Sequence, residues 1–256
     1  MTAAVCCVPV SPLRAEPSHK SEMVSQQLFG ECCEVLEYGN DRWTRIRCQY
    51  DAYEGWCQES HVTEIDYEQY VFAEKNLTQE WMTSVEYNAE PMIIPLGSSL
   101  TGLKNGHASW QKNKIHFSGA TWNPADAKKD IKSIKQLAYK FLNTAYLWGG
   151  KSIFGIDCSG YTQTVFKFFA IPLLRDTYQQ AAQGEPVAFL ESAQCGDLAF
   201  FDNDEGKIVH VGILLNDYEI IHASGKVRID GIDKAGIINS ETSQRTHKLK
   251  VIKRYF

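Results

Sequence analysis

The sequence predicts a multi-domain chain in which short β-strands build one or more small N-terminal barrels and an α+β domain with an antiparallel sheet follows. Three observations carry this. The 256 residues exceed one ordinary small domain. The first 65 or so alternate short β-prone runs with turn signals, whereas helical periodicity begins only near residue 126. After that come two helical segments and then sequential strands, an order that implies α+β architecture.

In the first segment, residues 5–10, 31–36, 43–49 and 55–58 carry β-branched, aromatic or cysteine residues. Ser11-Pro12, Gly39-Asn40 and Asp51 punctuate them. Strands this short hide their edges best by closing into a barrel. The L-F-G-E, W-T-R-I-R and E-G-W run resembles a bacterial SH3-like domain, giving boundaries of 1–65.

Residues 66–125 read less simply. Residues 67–81 are partly helical, and P-M-I-I-P-L-G-S-S-L and H-A-S-W-Q-K-N-K-I-H-F read as strands. Echoes of the first segment's leucine–glycine and tryptophan–isoleucine features point to a divergent second SH3-like barrel; an irregular connector is the alternative. Asn123-Pro124-Ala125-Asp126 marks the next boundary, with Asp126 as the expected helix cap.

The third segment spans 126–256. Apolar residues at 131, 134, 137, 138, 141 and 142 predict a helix over 127–142, and Thr162, Val165, Phe166 and Phe169 a second over 159–169, closed by Ile171-Pro172. Strands are expected at 197–202, 208–215, 218–223 and 248–256.

Composition narrows the function. Apolar residues at 44% and charged residues at 22% exclude a disordered chain. The longest apolar runs, 170–174 and 209–215, fall far short of a membrane span of about 20 residues. With 26 basic against 31 acidic residues, no overall positive field favours nucleic acid. None of the eight cysteines forms a C-x-x-C pair, so the usual structural zinc and thioredoxin-type motifs are absent. Cys6-Cys7 and Cys32-Cys33 read as buried strand residues, with a disulfide framework as the alternative. The opening residues lack a basic n-region, so the expected location is cytoplasmic, or exported if a leader was removed before residue 1.

The strongest chemical signal is Asp157-Cys158-Ser159-Gly160 at a loop-to-helix junction. A helix N-terminus favours negative charge, so this position is expected to lower the thiol pKa. Cys158 alternatively fills space beneath the helix. His210 and His222 lie twelve residues apart on consecutive predicted strands joined near Asn216-Asp217. A two-residue loop would turn their rings to opposite faces. A three-residue loop over 215–217 would set 210 directly opposite 222, and that register is the expectation. Cys158 then acts as nucleophile, His210 as general base and His222 as its orienter, with backbone N–H groups at the helix start receiving an oxyanion.

W-G-G, D-C-S-G, R-D-T, G-D-L-A-F-F, H-V-G-I and I-I-H-A-S follow one another over residues 146–224. This series resembles the NlpC-type family of bacterial cell-wall cysteine peptidases, and with barrels in front the chain is similar to its γ-D-glutamyl-L-diamino acid dipeptidyl-peptidases (dipeptidyl-peptidase VI). The resemblance implies a papain-like fold and no cofactor or metal. It implies hydrolysis of murein tripeptide or related stem peptides, releasing L-Ala-γ-D-Glu from the diamino acid, in cell-wall peptide turnover or recycling; a monomer is the expectation, although sequence does not fix the oligomeric state. It places Cys158, His210 and His222 as the triad. It also places Tyr146 beside the site, Asp157 and Ser159 at the substrate's free amino end and backbone, Thr177 at a hydroxyl position, and Tyr53 and Glu22 as barrel residues that meet the substrate.

Each has a plainer reading: Asp157 as helix cap, Tyr53 and Tyr146 as packing, Glu22 as a solvated charge, Arg175-Asp176 as a structural ion pair. Two other functions compete. One is a catalytically silent peptidoglycan-peptide binder, for which a retained nucleophile has no use. The other is a zinc hydrolase built on Cys158, His210 and His222, which lacks paired-ligand spacing.

Overall fold

The computed structural model describes residues 2–72 and 76–256. They fall into two compact units, one of residues 1–126 with 149–153, the other of residues 127–148 with 154–256.

The first unit holds a seven-stranded antiparallel sheet. In spatial order its strands are Met23–Leu28, Val10–Arg14, Glu54–Gln58, Trp43–Cys48, Cys32–Tyr38, Thr2–Cys6 and Val62–Glu64. Ala4, Leu13, Cys33, Ile46, Cys48 and Cys57 pack into one core although they come from strands far apart in that order, so the sheet curls on itself. Alternation along Thr2–Cys6 explains why all of Ala3, Ala4, Val5 and Cys6 are buried. Ala4 faces this core, while Ala3 and Val5 face a second one.

That second core joins Ala3, Val5, Phe29 and Ile65 to Val85, Ile94, Trp110 and Phe117. The latter belong to a region built on a four-stranded antiparallel sheet ordered Glu90–Pro95, Met82–Tyr87, Asn113–His116, His107–Trp110. Residues 66–125 therefore share a core with the first 65. Within the expected helical stretch 67–81, Tyr67–Phe72 is helical and Leu77–Thr78 is a strand, while 73–75 lie outside the described residues. All eight cysteines are free thiols, which removes the disulfide framework.

The second unit opens on the helix Ile131–Lys140. Its cap is Asp130, whose carboxylate accepts from the Ser133 N–H, and not the expected Asp126, which sits in a short 3-10 turn at Pro124–Asp126. The helix Cys158–Lys167 follows, then Thr177–Ala182. The strands Arg245–Arg254, Leu198–Asp202, Ile208–Leu214, Glu219–Ser224, Lys226–Asp233 and Gly236–Ile238 pair in that order. Gly236–Ile238 also pairs back to Arg245–Arg254, closing a six-stranded antiparallel barrel. Glu185–Val187 adds to its side. Leu214, Ile220, Ile232, Phe201 and Ile252 fill the barrel.

Candidate active site

The site begins with a turn. Asn216 Oδ1 accepts from the backbone N–H of Tyr218 and Glu219, and Leu215 N–H donates to the Glu219 carbonyl. The loop therefore holds three residues, 216–218, one position later than expected. This changes the register: Gly212, not His210, stands opposite His222, with Leu214 opposite Ile220. A shift of one loop position moves the pairing by two residues and so preserves parity. His210 and His222 still share a face, as diagonal neighbours.

Gly212 makes this diagonal passable. A β-carbon there would come within 2.8 Å of the His222 Cβ and 2.7 Å of Ile220 Cδ1. With no side chain between them, His210 Nε2 meets His222 Nδ1 at 2.8 Å. A bulge at Phe201/Asp202, paired with His210 and Ile208, leaves Val209 unpaired beside the first histidine.

His222 continues outward. Its Nε2 lies 3.0 Å from Asp230 Oδ2, and both side chains are buried. Asp230 Oδ1 accepts from Arg228 Nη2 (3.1 Å) and from the Ser240 backbone N–H (2.9 Å) and hydroxyl (2.8 Å). Burial pushes the Asp230 carboxyl up, but the hydrogen bonds from His222, Ser240 and Arg228 prevail and hold it well below the usual range. His247 stacks on His210 with ring centroids 4.1 Å apart. Sequence reasoning missed both residues. Asp230 had a readable signal, an acid alternating with apolar residues on a strand after His222; His247 had none.

Cys158 heads its helix, which packs against the strands bearing both histidines. The thiol is buried, and contrary to expectation its pKa is pushed up to about 12, first by desolvation and then by the Asp157 carboxylate; the Val211 backbone, next to His210, and Arg175 act the other way. The helix terminus does not outweigh burial. Burial, His222 and His247 in turn press the His210 pKa well below its ordinary value. Burial thus disfavours both the thiolate of Cys158 and the imidazolium of His210.

Asp157 caps the helix, accepting from the Gly160 N–H at 2.7 Å. It also holds Arg175 in a two-pronged ion pair, Oδ2 to Nη2 at 2.5 Å and Oδ1 to Nη1 at 3.1 Å, with Ser159 Oγ accepting from Nη1 at 2.8 Å. Arg175 therefore pairs with Asp157, and the Asp176 backbone N–H donates to Gln179 Oε1. Tyr146 is half-buried, its phenol pKa pushed up to about 12 by burial and then by Cys158 and Asp157. Thr177 Oγ1 donates to the Ile208 carbonyl at 3.3 Å, bracing the His210 strand.

Tyr53 and Glu22 belong to the first unit. Tyr53 follows a tight turn and its N–H donates to Asp51 Oδ1, and Glu22 is exposed. Two histidine nitrogens facing each other at 2.8 Å are engaged with one another, not aimed at a common ion. Among the described residues no group of three or more His, Cys, Asp and Glu is arranged to hold a metal, and no helix is long and apolar enough to cross a membrane.

Residues 143–246 match the NlpC/P60 family, and residues 13–62 match the bacterial dipeptidyl-peptidase Sh3 domain. The chain is 28% identical over 263 positions to the gamma-D-glutamyl-L-lysine dipeptidyl-peptidase of Bacillus cereus (strain ATCC 10987 / NRS 248), covering 90% of this chain and 77% of that one. It is 26% identical to dipeptidyl-peptidase 6 of Lysinibacillus sphaericus, covering 90% and 92%. A crystal structure of an NlpC/P60 family protein from Bacillus cereus ATCC 10987 shares the fold at a TM-score of 0.82, covering 99% of both chains at 19% identity.

Proposed function

Because the chain carries an NlpC/P60 cysteine-peptidase domain behind a bacterial dipeptidyl-peptidase SH3 domain, we propose that it cleaves the γ-D-glutamyl-L-diamino acid bond of murein peptides whose N-terminal L-Ala is unblocked. The observation that carries this reading is the buried thiol of Cys158 at a helix head, packed against a strand whose histidine is hydrogen-bonded to a second one.

In this reading Cys158 Sγ attacks the γ-carbonyl carbon while its proton passes to His210. The carbonyl oxygen becomes an anion near the Cys158 backbone N–H, which like every first-turn donor has no acceptor within its helix. The imidazolium returns the proton to the leaving amine, and the C–N bond breaks to leave a thioester. Water, deprotonated by His210, then releases L-Ala-γ-D-Glu. His222 accepts from His210 and stabilises the charged ring. Tyr146 bounds the site on the Cys158 side.

Recognition of the free amine involves Asp157 in this proposal. It offers an incoming ammonium a carboxylate already shared with Arg175, so the attraction is that of a pair, not of a bare charge. Two peptides test this by mass spectrometry of the products: L-Ala-γ-D-Glu-L-Lys and its N-acetyl form. The free peptide is expected to yield the dipeptide with wild type and not with Cys158→Ala. Equal cleavage of both peptides rejects amine recognition, and no cleavage of either rejects the murein-peptide substrate assignment.

A further inference from the structure

Beyond the three residues assigned a chemical role above, one carboxylate sits at the far end of their hydrogen-bond chain. His222 stands directly opposite Arg228 on the next strand, which makes Asp230 its diagonal neighbour on the same face. Asp230 and His222 are 2% and 1% exposed, so water does not compete for their contact. We propose that Asp230 is a positioning residue that, acting through His222, fixes which nitrogen of His210 carries its proton. The proposal rests on Cys158 and His210 serving as nucleophile and base.

The argument follows donors and acceptors along the chain. An ionised carboxylate only accepts, so His222 Nε2 facing Asp230 Oδ2 at 3.0 Å must bear a proton. In the neutral form of the His222 ring, which has a single N–H, Nδ1 is then an acceptor. The His210 Nε2 that meets it at 2.8 Å must then donate. This leaves His210 Nδ1 with the bare lone pair, the one form of the neutral ring able to take a thiol proton at that nitrogen. Without the carboxylate both rings can exchange roles, placing a proton on His210 Nδ1 where the base is needed.

The surroundings hold Asp230 in the ionised form. Its Oδ1 receives Arg228 Nη2 and the Ser240 N–H and hydroxyl, and Arg228 Nε lies 3.0 Å from Oδ2. Glu241 stands beyond Arg228 at 3.5 Å. Other titratable groups near the relay include His247, on the face of His210 and edge-on to His222, and Cys158, Asp157 and Arg175 at the nucleophile.

These contacts make Asp230→Asn a directed test. The Arg228 Nη2 and Ser240 N–H donors at Oδ1 cannot reverse, whereas Arg228 Nε makes no hydrogen bond to Oδ2, so the amide oxygen takes the Oδ1 place and the amide NH2 faces His222. His222 Nε2 then becomes an acceptor, and the chain of protons runs backwards. The experiment uses the full-length protein, ¹⁵N-histidine spectra to read each tautomer, and the rate of Cys158 alkylation by iodoacetamide between pH 5 and 9. Wild type is expected to show protons on Nε2 of both His210 and His222. Asp230→Asn is expected to show them on Nδ1 of both, with alkylation near pH 7 slowed by about 10²-fold, in the direction known for Asp-to-Asn changes behind catalytic histidines.

A wild-type spectrum with the His222 proton on Nδ1 overturns the proposal, whether or not the variant folds. So does a folded Asp230→Asn with unchanged tautomers and alkylation rate. Alkylation involves no peptide, so failure to cleave the tripeptide sinks the substrate assignment and leaves the relay standing. If His210→Ala alkylates as fast as wild type, the base and the relay fall together.

Discussion

Gly212 lies directly across the strand pair from His222, and the hydrogen atom it carries in place of a side chain is what lets the two histidine rings meet. A methyl group at 212 would have to displace the His222 Cβ, which is anchored to the backbone and cannot swing aside. Gly212→Ala is therefore expected to keep the barrel and lengthen the 2.8 Å His210–His222 contact. Misplacement of this order costs about 10²-fold in rate. Cleavage kinetics alongside a melting curve check it; a variant with wild-type kcat/KM would show that the ring contact tolerates the displacement.

The state of the Cys158 thiol at rest is a second expectation. Desolvation and the neighbouring Asp157 carboxylate push its pKa up to about 12, and burial presses that of His210 well below its ordinary value. Both shifts disfavour a preformed ion pair, so proton transfer is expected to accompany attack. The ultraviolet absorbance that distinguishes a thiolate from a thiol, taken as wild type minus Cys158→Ser at pH 7, should be close to zero. A full thiolate signal would show a preformed ion pair.

How far the sequence reveals this site depends on the range of the interactions involved. That Cys158 heads a helix and that His210 and His222 share one strand face is legible because these are local patterns, and strand parity does not depend on where the three-residue loop starts. The loop itself was misplaced by one residue because the Asn216 side chain, not the chain length, sets where the turn closes. Local pattern places Cys158 at a helix head but cannot weigh the burial of the finished fold against the helix terminus. Asp126 has the composition of a cap, but Asp130 is the residue whose carboxylate meets a free N–H. His247 arrives from a strand 25 residues further on than His222, a closeness only the closed barrel creates.

The first unit carries a prediction of the same origin. Trp110 is 1% exposed and packs with Phe29, their ring centroids 5.0 Å apart, while its indole N–H donates to the Thr101 carbonyl. It belongs to the core shared by residues on either side of position 65. Trp110→Ala is expected to cost about 3–5 kcal/mol, and a fragment ending at 65 to lack a folded spectrum. Urea unfolding and the amide dispersion of the fragment check both; a well-dispersed fragment would show that the first sheet stands without its neighbour.

The buried Asp157–Arg175 pair makes a prediction about stability. Arg175 is 2% exposed and binds Asp157 through two nitrogens. Arg175→Met would take the countercharge from a buried carboxylate, a change that costs about 3–5 kcal/mol, whereas removing both charges is often near neutral. Asp157→Asn combined with Arg175→Met should therefore recover much of the loss, measured as urea unfolding across the four-protein cycle. Additive losses would mean that the two groups act independently.

Acid should weaken the second unit through Asp230. Burial raises its carboxyl pKa, but the hydrogen bonds from His222, Ser240 and Arg228 dominate, so the folded value lies below the unfolded one of about 3.9. A group depressed in this way contributes its stability above the unfolded pKa and loses it as pH falls through the folded value. Wild type should thus lose stability as pH drops below about 4, and Asp230→Asn, with no proton to bind, should lose less over the same interval. Asp233, held down to about 2 by Arg245 and by backbone N–H groups, titrates in the same direction. Its side chain is 44% exposed, however, so salt screens its pair and Asp233→Asn should change the acid slope less. Urea midpoints at pH 5 and pH 3, at low and at high salt, separate the two. Equal slopes for wild type and Asp230→Asn would mean that the folded protein gives this carboxylate no more support than the unfolded chain does.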